Sequence, residues 1–374
     1  MTTKKYTVTF LLTLVFASCL VFVFNYFVDP YAVSGAKRIE GFNHYKVHIN
    51  SRVRLAKAYQ PLRADFQTLI VGNSRVEMGV DPHHACLSAG GRKAYNLGIP
   101  GASIGYQSAA ALNLVYQKPV NRVLMSLDFP DFLVAEGSSA PLNSGISPVA
   151  NLQYQANGDI NSAYRLSQLK DYYSAFFSLN ALVSSIKTVV AQGSPATDRT
   201  EAGFNPAYDF ASSTRIEGVR ALFLQKEQLL QEKYQRRWSL YYENGQRSED
   251  FEHLKAFLSV LSSRDIEVVL FINPLHERFW NLLEKNRLLD LYPDWLGEIT
   301  GIVEGIQSSR VTLWNFSADS PYIHEPLPAQ GEKGVALKWF WEPAHYRKEL
   351  GDLMLDSIFS ENCGTDMVFG EKVL

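Results

Sequence analysis

Cysteine is scarce in this chain: Cys19, Cys86 and Cys363 are the only three in 374 residues, too few for a disulfide framework. Cys19 lies in the N-terminal apolar segment, so Cys86 and Cys363 are the one pair left, and their spacing leaves open whether they bond. Nothing has the Cys/His spacing of a zinc site, and the adjacent His83 and His84 lack a carboxylate frame, so no metal and no cofactor are expected. A large excess of charge of one sign is absent too. The net charge is -2 and no long basic run exists, which removes the electrostatic case for nucleic acid as a partner. No internal repeat is visible. What remains is a chain 46% hydrophobic and 20% charged, ordinary for a folded protein with a large core. Its length permits two domains, and one elaborated α/β domain fits equally.

One long apolar run is present. Tyr6 to Phe27 carries no charge, follows Lys4 and Lys5, and is long enough to cross a bilayer. The lysines should stay in the cytoplasm, placing everything after Asp29 on the far side. A cleaved signal peptide would show a shorter apolar core and an Ala-x-Ala-like site, and none is clear. Lipid attachment at Cys19 is an alternative, but the apolar run continues from Leu20 to Phe24, which suits a span better. The expectation is an uncleaved anchor over residues 1–28. A polar, basic connector follows over residues 29–60, with Lys37, Arg38, Lys46, Arg52, Arg54 and Lys57 and a helix near Ile49–Tyr59. Its charges read as a solvated face, with contact to anionic head groups or substrate as the alternative.

Beyond residue 60 the pattern alternates. Apolar runs at Leu69–Val71, Ala94–Leu97, Val120–Leu127, Ile266–Ile272 and Val311–Phe316 read as strands. Helical spacing covers Ile104–Tyr116, Asp250–Ser263, Glu277–Asp290, Asp294–Gln307 and His345–Ser360. This order argues for an α/β fold with a doubly wound parallel sheet over residues 61–374. Residues from about 133 to 249 break the rhythm with Gly/Ser/Pro-rich stretches and helical patterns at Ser162–Gln192 and Ile216–Tyr242. They read as a helical insertion packed on the core, not as a separate domain.

The first strand organises the search for chemistry. Thr68-Leu-Ile-Val-Gly-Asn-Ser74-Arg75 places Ser74 just past a strand's carboxyl end, where open α/β sheets bind ligands. A serine there becomes a nucleophile if a base takes its proton and donors hold the oxyanion; otherwise it merely caps a helix. His345 is the best base candidate, with Glu342 three residues earlier to orient the imidazole, against the plain reading of a helix-start acid and a surface histidine. Gly98 or Gly101 could present a backbone N–H to the oxyanion, or simply satisfy a turn. Asn73 and Asn96 are possible side-chain donors, or loop ties. Asp128 and Asp131 follow the third strand, and His276 follows the fourth in Asn273-Pro-Leu-His276; capping and burial are their alternatives.

Val71-Gly-Asn-Ser74-Arg75 near the start, Asn96-Leu-Gly98-Ile-Pro-Gly101 after it and Glu342-Pro-Ala-His345-Tyr346 near the end together resemble the SGNH (GDSL-like) hydrolase superfamily. With the N-terminal span, Asp29-Pro30-Tyr31 outside it and Asn273-Pro-Leu-His276, the layout resembles membrane-anchored SGNH-like proteins of bacterial envelopes, such as those of alginate O-acetylation and lipoteichoic acid D-alanylation. The resemblance implies a three-layer, flavodoxin-like fold with Ser74 as nucleophile, His345 as base, Glu342 as orienting acid and the Gly98–Gly101 loop as oxyanion element. Asn73, Asn96, Arg75, Asp128 and His276 would complete the oxyanion and substrate-binding set. Two departures stand out: Glu342 replaces the usual aspartate, and Ser126-Leu-Asp128-Phe replaces the Gly-x-Asn-Asp block. The implied activity is extracytoplasmic ester hydrolysis or acyl (acetyl) transfer on an envelope or exported polysaccharide, from the bacterial inner membrane. A membrane-bound acyltransferase is the implied partner. The departures motivate an alternative, a non-catalytic carbohydrate-binding or scaffolding subunit.

Overall fold

A computed structural model describes residues 3–143, 145–194, 196–365 and 369–374. The chain opens with α1 (Thr3–Val28), uncharged and mostly apolar after Lys5, with only Asn25 and Val28 buried against the rest. It is long and apolar enough to cross a membrane. After α2 (Val53–Tyr59) come β1 (Thr68–Val71), α3 (Ser74–Gly79), α4 (Ala85–Ser88), β2 (Ala94–Asn96), α5 (Ile104–Val115) and β3 (Arg122–Leu127). The middle holds β4 (Val134–Ala135), then α6 (Tyr164–Phe176), α7 (Leu179–Val190), α8 (Tyr208–Glu217) and α9 (Val219–Tyr234). It ends in β5 (Trp238–Ser239), which pairs antiparallel with β4. The alternation resumes with α10 (Glu249–Ser263), β6 (Glu267–Ile272), α11 (Glu277–Lys285), α12 (Tyr292–Ile306) and β7 (Val311–Asn315). A hairpin of β8 (Phe340–Glu342) and β9 (His345–Tyr346), then α13 (Lys348–Ile358), α14 (Ser360–Cys363) and β10 (Glu371–Lys372) complete it.

The central sheet runs β10-β7-β6-β3-β1-β2, parallel except for β10, which lies antiparallel on the β7 edge. Both faces are covered, which is why its strands are apolar without alternation. Leu69, Val123 and Val268 lie in register and pack against Leu112 of α5, Leu254 of α10 and Ile299 of α12. Their neighbours Ile70, Leu124 and Val269 face the opposite layer, with Val76 of α3, Leu87 of α4 and Leu350 of α13. The chain leaves β1 toward β2 on one side and returns to β3 on the other, so the sheet order switches direction at the carboxyl ends of β1 and β3.

Several expectations are corrected. The helical run over 162–192 breaks at Ser178, whose hydroxyl accepts from the Ala181 amide and starts α7 anew. The run over 216–242 is helical only through α9, which ends at Tyr234, and Gly218, at φ +90°, divides α9 from α8, most of which precedes the expected span. His345 does not open the last helix, which begins at Lys348. The connector is no solvated face at Lys46 and Lys57, which are both buried. Lys57 donates to the carbonyls of Asn96 and Gly203, and Lys46 to that of Val28. Cys86 and Cys363 are bonded to each other, tying α4 to α14. The insertion packs onto the body through Tyr164, Phe176 and Tyr234 on one side of the sheet and Val219 and Phe223 on the other.

Candidate functional site

The turn after β1 is built by Asn73. Its side-chain oxygen accepts from the Arg75 amide at 3.0 Å and its carbonyl accepts from the Glu77 amide, so it caps α3 and leaves Ser74 as the first helical residue. The Asn73 amide group donates to Asp128 at 2.7 Å and Asp131 at 3.0 Å, fixing the turn to the residues that follow β3. The Ser74 N–H, at the helix start, has no intrahelical acceptor.

The hairpin β8–β9 arrives from the other end of the chain. Glu342 and His345 face each other across it, and the Ala344 amide between them hydrogen-bonds the Glu342 carboxylate. His345 Nε2 lies 2.7 Å from Ser74 Oγ, and His345 Nδ1 is hydrogen-bonded to Glu342 Oε1. Burial pushes the Glu342 carboxyl up, but the charge and hydrogen bond of His345 outweigh it and hold the group below its ordinary value. An ionised Glu342 accepts from Nδ1–H, which leaves the Nε2 lone pair toward the serine hydroxyl. Such a chain of hydrogen bonds can carry a proton from Oγ to the imidazole as the oxygen attacks an acyl carbon.

The remaining expected residues divide sharply. Arg75 is buried; its Nε donates to the Ala344 carbonyl at 2.8 Å and its guanidinium pairs with Asp128 at 3.2 Å. It joins the serine turn to the histidine hairpin. Asp128, also buried, accepts from Asn73 and Asn273, and Asn273 in turn accepts from the Tyr346 hydroxyl. Asn73 is not free to hold an oxyanion, because both ends of its amide are engaged. Nor is Asn96: it donates to the carbonyls of Val76 and Val80 and accepts from the Gly98 N–H at 2.8 Å. That bond takes the Gly98 amide, and a Cβ on Gly98 would lie 2.7 Å from the Glu77 nitrogen, so this glycine permits loop and helix to touch. Gly101 turns the loop at φ +65°, and its N–H has no acceptor among the described residues. His276 is not at the cleft. It is fully buried between the rings of Phe223 and Phe340, with Nε2 donating to the Glu325 carbonyl and Nδ1 accepting from the Arg278 amide.

Ser74 and His345 open into a cleft of about 670 Å³. Its walls include Arg52 and Arg54 of the connector, Asn151, Asp171 of α6, and Asp209 and Phe210 of α8. The Phe210 ring stands 5.9 Å from the His345 ring. Also lining the cleft, the buried Glu77 pairs with Arg199 and Lys57. Sequence reading named none of Asn151, Asp171, Asp209, Phe210 and Arg199 as site residues. They come from the insertion, where no strand end or motif marks a ligand-facing position.

No protein-family model matches this chain, and no curated protein matches it.

Proposed function

We propose that this chain is a serine acyl-transfer enzyme of the SGNH type, with a three-layer flavodoxin-like catalytic body held outside the cytoplasmic membrane of a bacterium by α1. One observation carries the reading: Ser74 Oγ and His345 Nε2 lie 2.7 Å apart at the mouth of an open cleft, with the buried Glu342 behind the histidine. The site also lies at the switch point of the parallel sheet, which supports the assignment.

In the proposed reaction, Oγ forms a bond to the ester carbonyl carbon while its proton passes to His345 Nε2. The Ser74 N–H and the Gly101 N–H hold the resulting oxyanion. The C–O bond to the alcohol then breaks, and the imidazolium returns the proton to that alcohol. Water or a sugar hydroxyl repeats the sequence on the acyl-enzyme. Asn151, Asp171 and Asp209 offer hydrogen bonds and Phe210 an apolar ring, a combination suited to an O-acetylated polysaccharide.

The test uses the full chain in detergent with a fluorophosphonate probe and an activated acetyl ester. Labelling and turnover in the native protein, absent from Ser74→Ala and His345→Ala, are expected. A folded native protein that neither labels nor turns over would overturn the enzyme reading in favour of a carbohydrate-binding subunit.

A further inference from the structure

We propose that the α6–α7 hairpin is seated in the membrane interface beside α1, with its outward apolar stripes in contact with lipid. The inference rests on the reading of α1 as a span.

The hairpin is amphipathic in the inverse sense of a water-facing helix pair. On α7, Leu179, Val183, Ile186 and Val190 recur at helical spacing and are all exposed, Leu179 and Val190 by 74% and 79%. The face of α7 that packs on the protein is Ala181, Ser185 and Thr188. On α6, Leu166, Leu169 and Tyr173 form a second exposed stripe that runs on to Phe177 in the turn. A helix with its small and polar side against protein and its large apolar side outward suits hydrocarbon, and two such stripes together exceed the scattered apolar exposure of a soluble surface.

The position of the hairpin follows from its contacts with α1. The Phe22 ring lies 4.9 Å from that of Phe177, and the Tyr26 ring 5.7 Å from that of Phe176. Asn25 donates to the Phe176 carbonyl at 2.9 Å and accepts from the Ser185 hydroxyl at 2.8 Å, so its amide is satisfied within the protein. The uncharged run Tyr6–Phe27 is about 33 Å long as a helix, against a hydrocarbon thickness of about 30 Å. Phe22 stands about 9 Å before the end of α1 and so falls inside the hydrocarbon edge. Whatever touches Phe22 is then at or below that edge, and what touches it is the α6–α7 turn. Tyr26, Tyr172 and Tyr173 supply the interfacial aromatics. Arg165, Lys170 and Lys187 outnumber the single acid of the hairpin, Asp171, which is engaged by the Tyr59 hydroxyl; this charge suits anionic head groups.

Asp171 also lines the cleft, and about 9 Å of α6 separates it from Phe177. The cleft therefore opens next to the head groups.

The test places nitroxides on the full chain in vesicles of phosphatidylethanolamine and phosphatidylglycerol. Leu169→Cys, Val183→Cys and Val190→Cys are made with Cys19→Ser, since Cys86 and Cys363 are bonded to each other. Cys19 of the otherwise unaltered chain reports on α1, and Leu229→Cys on exposed α9 is the aqueous control. Relaxation by oxygen exceeding relaxation by a nickel chelate is expected at Cys19 and at all three stripe positions, with the reverse at Leu229. Stripe positions relaxed mainly by the chelate while Cys19 stays in lipid would overturn the hairpin proposal and leave the anchor intact. Stripe positions shielded from both agents would overturn it in favour of a second copy of the chain. An aqueous Cys19 would overturn both proposal and anchor. Serine labelling by the fluorophosphonate is independent of all three outcomes.

Discussion

Glu77 and Arg199, 122 residues apart in sequence, form a two-point ion pair of 2.7 and 2.9 Å sealed from solvent. Lys57 approaches the same carboxylate at 3.4 Å. Glu77 stands on α3, three residues beyond Ser74, so one carboxylate joins the serine helix to the connector and to the loop before α8. Both cations depend on it, and burial pulls the Lys57 ammonium down to about 8.

Glu77→Gln should therefore destabilise the chain by about 3–5 kcal/mol, because it leaves two buried cations without a counter-charge. Lys57→Met should cost less, about 2–3 kcal/mol, since the pair with Arg199 survives and only the Asn96 and Gly203 carbonyls lose their donor. Urea unfolding of both variants in detergent measures this. Equal losses would contradict the shared role of Glu77.

Glu342 tests the arm of the proposed relay. Glu342→Gln keeps the shape but removes the charge that fixes the imidazole tautomer, and should lower kcat by about 10³–10⁴-fold. Glu342→Asp shortens the arm by one methylene and should cost about 10²-fold through misplacement. Steady-state hydrolysis of an activated ester reads both. An unchanged kcat in Glu342→Gln would remove the residue from the mechanism.

The carboxyl of Asp131 is pushed up to about 7 by burial and by the charge of Asp128, against the opposing pull of Arg75. The folded chain thus holds a proton that the unfolded chain releases near the ordinary carboxyl value of 3.8. Stability from this group should fall as pH rises from about 4 to about 7 and level off above. Asp131→Asn keeps an acceptor for Asn73 and should remove that slope, gaining on the native chain by roughly 2 kcal/mol at pH 8. Denaturation midpoints of the two proteins across this range decide it; parallel curves would contradict it.

Much of the sheet was legible because its strands are buried on both faces and need continuous apolar runs, as Leu69–Val71 and Glu267–Ile272 show. Ser74, His345 and Glu342 were legible as candidates from strand-end position and local spacing. The setting of His345 was misread. Glu342-Pro-Ala-His345 has the proline of a helix start, yet the four residues close a hairpin whose partners sit on β8 and β9. Lys57 read as a solvated charge since its counter-ion Glu77 is reached only through tertiary contact. Asn96 left two readings open, donor or loop tie, for the same reason: the carbonyls that make it a tie belong to the end of α3. β10 was too short to register as a strand, and its pairing with β7 depends on an edge far away in sequence.

The 271 residues between Ser74 and His345 are also an interval of time. At about 5–20 residues per second, synthesis delivers the histidine roughly 15–50 s after the serine. During that interval α1 is already made, while the Ser74 hydroxyl has no base and the reactivity of an ordinary alcohol. A chain released early, short of the β8–β9 hairpin, would lack the base of the proposed mechanism. In that mechanism, competence arrives only with the last stretch of the polypeptide.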